Sequence, residues 1–114
     1  MLAFRVLLAL IASTVLVYTG FVISLQGWNF MPVFFRDIVA LTWSGQFNLD
    51  FSGLLLLAGL WLAWRHRFSP FGIGLGVLAL VAGAPLLSIY LLVASVRARG
   101  DVKVLLLGSV RAQA

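Results

Sequence analysis

Asp50 is the side chain of this sequence best placed to do chemistry. It stands in the stretch Phe47, Asn48, Leu49, Asp50, Phe51, at the start of an apolar run. A carboxylate at membrane depth is expensive and marks a functional site by default. It could carry a proton, hold a cation, or pair with Arg36 from another helix. A plainer role comes first: an acid at a helix start accepts from free backbone N–H groups and meets the positive end of the macrodipole. The cap is the first expectation, the ion pair the second, and transport or proton chemistry the third. Arg36 and Asp37 are adjacent, so on a helix they point to different sides and do not face each other. They are expected to be solvated at an interface. Asn48, with Asn29 and Gln46, could line a polar vestibule beside Asp50, or serve as ordinary loop residues. The candidate polar site is thus Asp50, Arg36, Asp37 and Asn48.

Other chemistry is scarce. The chain has no Cys, which excludes disulfides, thiolate metal sites, Fe–S clusters and Cys nucleophiles. Its one His, His66, lies between Arg65 and Arg67, whose charges oppose metal binding, and it reads as a loop histidine. Ser24 or Ser88, His66 and Asp101 make a triad only on paper, since no G-x-S-x-G elbow organises them. Gly72, Gly74 and Gly76 follow no strand and lack the third glycine spacing of a dinucleotide loop. No catalytic residue, metal ligand or cofactor is expected.

The elements that must position these residues are membrane helices. Of 114 residues, 63% are hydrophobic and 10% charged. Soluble domains carry about 25% charged residues, so this chain could not cover a folded surface with polar groups. Eight Lys and Arg against three acids give a net charge of +5. In a soluble protein that would point to nucleic acid. Here the basic residues sit at the edges of apolar runs, as membrane flanks do, so the expected partner is the lipid bilayer and not nucleic acid.

The charge-free runs predict an all-α bundle with transmembrane helices over about 4–25, 48–64 and 70–96. An interfacial helix is expected over about 33–43 and a C-terminal tail over 100–114, all in one membrane domain. The first run resembles a signal peptide at its start, but no small-residue cleavage site ends it, so it reads as an uncleaved helix. Its small residues Ala9, Ser13, Gly20 and Ser24 share a face. Ser69 followed by Pro70 is a good helix start. Gly72, Gly76, Ala79 and Gly83 form a packing face, and Pro85 should kink the third crossing and free the Val81 carbonyl. Asp101 is positioned to cap a short helix in the tail. A fourth crossing through 30–46 is the alternative, although it must bury Arg36 and Asp37. With three crossings, residues 66 and 112 fall on opposite sides, and the basic residues do not settle the orientation.

The stretch F-F-R-D-I-V-A-L-T-W-S-G-Q-F-N-L-D-F, a short crossing ending W-R-H-R, and G-A-P-L-L-S-I-Y-L-L together resemble small bacterial inner-membrane proteins of three to four helices and unknown function. The resemblance covers roughly residues 33–96 and implies a multi-pass inner-membrane location but no activity. The chain departs from small multidrug transporters of similar length, which carry a membrane-embedded Glu in the first helix. A non-enzymatic accessory or structural subunit is the leading expectation, self-associating or joining a larger membrane complex through Gly/Ala faces. A small proton- or cation-coupled transporter or channel using Asp50 is the alternative.

Overall fold

The computed structural model describes residues 1–113. They form α1 (Leu2–Gln26), α2 (Met31–Val39), α3 (Trp43–Arg65), α4 (Pro70–Arg97), α5 (Val102–Leu107) and α6 (Ser109–Ala112). The chain is an all-α helical bundle with, among the described residues, no strand. Helices α1, α3 and α4 are each long and apolar enough to cross a membrane. Ala114, the last residue of the expected tail, lies outside the described residues.

Local chemistry sets most boundaries. Ser69 accepts from the Gly72 N–H at 3.1 Å, and Pro70 takes the first helical position of α4, where its missing N–H costs nothing. Asp101 accepts from the Lys103 and Val104 N–H groups and caps α5. Helix α2 is nine residues long, too short for a crossing that needs about 20, so the four-crossing alternative does not form.

The start of α3 departs from expectation. Leu41 adopts φ 59°, which ends α2 earlier than predicted. Thr42 then caps α3, its Oγ1 accepting from the Gly45 N–H at 3.0 Å while donating to the Asp37 carbonyl at 3.2 Å. Ser44, Gly45, Gln46 and Asn48 form the first turns of α3, ahead of the start predicted near residue 48. Gly45 is required there, because a Cβ would run into the Asp37 carbonyl. Asp50 therefore lies about two turns inside the helix and is not its cap. The free N–H groups at the start of α3 belong to residues 43–45, five to seven positions earlier.

The predicted small face is buried: Gly72, Gly76, Ala79 and Gly83 all lie inside. Gly76 meets Gly59 of α3 so closely that a Cβ on either would come 2.6–2.7 Å from the other's carbonyl oxygen. Leu62 beside them is fully covered. Backbone contact of this kind is what small residues permit where lipid supplies no hydrophobic drive between helices.

Helix α4 is not a straight rod. Gly83 leaves helical geometry at φ 63°, ψ −138°, a region that residues with a Cβ avoid. The expected kink thus falls two residues before Pro85, where a glycine can relieve the clash between the proline ring and the Val81 carbonyl. The bend is a reversal. Phe71 and Tyr90 would lie on the order of 28 Å apart on a straight helix. Yet both rings stand edge-on to the single ring of His66, at 5.2 and 5.7 Å. Helix α4 therefore descends beside α3 as far as Phe51 and Leu55, which flank Gly83, and returns. Its returning half packs on α1, where Arg5 reaches Ser95 and Met1 covers Gly100. The chain start, the α3–α4 loop, the end of α4 and the tail all meet at one end of the bundle. Residues 66 and 112 share that end, which corrects the expectation drawn from straight crossings.

Two outcomes follow from this packing. Gly76→Ala should cost about 1–3 kcal/mol in a detergent unfolding titration, because α3 and α4 must separate, whereas Gly74→Ala, with nothing within 4 Å, should be neutral or mildly stabilising. Single cysteines from Arg67→Cys and Ala112→Cys should label from the same side of proteoliposomes, and Trp28→Cys from the other.

Candidate functional site

Arg65, in the last turn of α3, organises the shared end. Its Nε donates to the Leu105 carbonyl at 2.7 Å and its Nη2 to the Val104 carbonyl at 3.3 Å. Trp61, one turn earlier, donates from Nε1 to the Leu106 carbonyl at 3.2 Å. These oxygens belong to the C-terminal turn of α5, where intrahelical donors run out and the macrodipole is negative. A cation with several donors is the natural complement. Arg111 closes the clamp, with its guanidinium 4.2 Å from the centre of the Trp64 ring and Nη1 donating to the Trp64 carbonyl. The tail is thereby docked on α3.

Arg65 also donates from Nη1 to the Tyr90 hydroxyl oxygen at 2.7 Å. That leaves the hydroxyl proton free for His66 Nε2, which is 2.6 Å away. Nε2 accepts that proton when the imidazole is neutral and protonated on Nδ1. Burial, and next the Arg65 charge, hold the His66 pKa below its ordinary 6.5, in keeping with that state. His66 lies in the turn after α3, as expected of a loop histidine, and there it joins a hydrogen-bonded network.

These groups border a cavity of about 680 Å³ between the two halves of α4, the end of α3 and the tail. Its polar lining includes Arg65, Arg67, Arg97, Arg111, His66 and Tyr90. Among the described residues, no acid lines it. The rest is mainly apolar, with Phe71 from the first half of α4 and Leu86, Ile89 and Val93 from the returning half. Such a cavity can hold an anion with an apolar body. Among the described residues, no three His, Cys, Asp or Glu side chains gather into a metal site.

The candidate polar residues lie elsewhere, at the α2–α3 hairpin. Asp50 and Arg36 are exposed, and Asp37 and Asn48 half-buried. Asn48 Nδ2 donates to the Phe34 carbonyl at 3.2 Å, and Asp37 contributes its backbone carbonyl to Thr42. Asn48 and Asp37 thus tie the hairpin together, while Asn29 and Gln46 are exposed. The sequence had presented Arg65 and Arg111 as boundary markers and Tyr90 as one residue of an apolar run. The signal available was Gly83 two residues before Pro85, seven residues ahead of the single tyrosine of that apolar run.

Fold and site together define a small helical membrane-type bundle with a cationic cavity at one end. No family model matches the chain, and no curated protein and no solved structure is significantly similar to it.

Arg65→Gln should loosen the tail. Loss of charge-assisted bonds to a part-exposed group costs about 2–3 kcal/mol, and proteolysis should then cut residues 102–113 while sparing α3. The lowered His66 pKa also gives stability a sign with pH. The neutral ring favours the fold above about 6.5, and that contribution is lost as pH falls through the lower folded value. Detergent unfolding between pH 8 and 5 should show this loss in the native chain, whose only histidine is His66, and a smaller loss in His66→Asn.

Proposed function

We propose that this chain is a non-enzymatic accessory or structural subunit of an assembly in a bacterial inner membrane. The observation that carries this reading is the outer face of α1. Ala9, Ser13, Gly20 and Ser24 lie on one side of that helix and are all exposed, and a Cβ on Gly20 would meet nothing within 4 Å. The corresponding face of α4 is already occupied by α3, so α1 holds the free small-residue face on which another transmembrane helix, from a second copy or a different subunit, can pack closely. The polar side chains of the bundle mostly hold the chain to itself, which also suits a structural role.

The reversal of α4 supports an orientation. Arg5, Arg65, Arg67, Arg97, Arg99, Lys103 and Arg111 gather at the shared end and only Arg36 lies at the other, so the positive-inside rule favours a cytoplasmic basic end. The transporter reading has less behind it, because Asp50 lies at the α2–α3 hairpin and the cavity at the opposite end.

Purification in mild detergent tests the proposal. The native chain should emerge with a stoichiometric partner or as an oligomer, and Gly20→Leu should release it while leaving the helical content unchanged. A native chain that runs alone as a monomer sinks the subunit reading.

A further inference from the structure

We infer that the cavity at the basic end binds the phosphate headgroup of an anionic membrane lipid. The charge in its lining is cationic and uncompensated: four guanidinium groups border it and, among the described residues, no carboxylate does. Two of the four are already committed, Arg65 to carbonyls of α5 and Arg111 to the Trp64 carbonyl and ring. Arg67 and Arg97 are exposed at the rim and, among the described residues, make no such contacts. Guanidinium presents paired N–H donors that match phosphate oxygens in a plane, which makes arginine the side chain suited to this anion.

A soluble anion would need only those charges, but the cavity offers more. Its wall includes Phe71, Leu86, Ile89 and Val93, and Ile89 and Val93 are 46% and 47% exposed, so the apolar surface continues outward along the returning half of α4. The cavity thus has cations where the helices end and an apolar track running toward membrane depth. That order of charge and grease is the order of headgroup and acyl chain. Its volume of about 680 Å³ suffices for a phosphate-bearing headgroup and the first part of a chain. Tyr90 and His66 also line the cavity, hydrogen-bonded to each other and, through the Tyr90 hydroxyl, to Arg65.

The inference does not depend on the subunit reading, because the cavity is lined by α3, α4 and the tail and not by α1, and it needs no second protein. The test uses the purified full chain in detergent, titrated with phosphatidylglycerol or phosphatidylcholine of equal chain length and read by native mass spectrometry. The native chain should retain phosphatidylglycerol about tenfold more strongly, and millimolar inorganic phosphate should not displace it. The double variant Arg67→Gln, Arg97→Gln removes both rim charges without touching the tail clamp and should lose that preference. The double variant Arg36→Gln, Arg99→Gln, with the same net charge, should keep it. All three chains are first matched for unfolding midpoint. The inference is overturned if the native chain shows no preference, if both double variants lose it equally, or if inorganic phosphate displaces the lipid.

Discussion

One backbone conformation carries the architecture: the reversal at Gly83. The residue sits at φ 63°, ψ −138°, with Phe51 and Leu55 of α3 against it. A Cβ there would meet both the Phe51 ring, at 3.2 Å, and an unfavourable φ. Pro85 withdraws one N–H from the helical ladder and weakens the continuous alternative, so the two residues act together. Without the reversal, Tyr90 could not reach His66, and the end of α4 would lie on the far side of the bundle from the end of α3. The tail would then have nothing to dock on, and the cavity would have no second wall.

Given the reversal, Arg65 becomes the polar centre of the shared end. Holding a half-buried guanidinium is unfavourable unless its donors are matched. Here Nε, Nη1 and Nη2 each have an acceptor, and two of those acceptors are carbonyls at a helix C-terminus. Those carbonyls need donors as much as the arginine needs acceptors. The arrangement satisfies both sets of groups at once, which neither α3 nor α5 could do alone. Arg5 plays a smaller version of the same part, donating to both the hydroxyl and the carbonyl of Ser95, which is fully buried.

What could be read from the sequence was what depends on neighbours in sequence. The Ser69–Pro70 start, the Asp101 cap and the small face from Gly72 to Gly83 are all local patterns with a local mechanism. Asp50 shows the limit. As the first charge before an apolar run it looked like a cap, but helix formation does not need an apolar start. Thr42 supplied a better cap in a stretch whose Ser, Gly, Gln and Asn looked like a loop. The cationic cavity was out of reach for a different reason. Its groups come from positions 65 to 111, and only the direction in which α4 leaves Gly83 decides that they meet.

The same reversal changes the meaning of the charges. Counted on three straight crossings, the basic residues divide between the two sides and the orientation stays open. Counted on the folded chain, all but Arg36 collect where α1 begins, α3 ends, and α4 both begins and ends. Two consequences oppose each other there. Like charges within a Debye length of about 8 Å repel, which disfavours the compact end. The anionic surface of a membrane relieves that repulsion and rewards the clustering, by about 1 kcal/mol for each basic side chain near it. Carbonyls and an aromatic ring already neutralise part of the charge of Arg65 and Arg111, so the unrelieved share falls on Arg67, Arg97, Arg99 and Lys103. A bundle that gathers cations in this way is best stabilised with its basic end against anionic headgroups, and two of its unrelieved cations stand at the mouth of a cavity with an apolar wall.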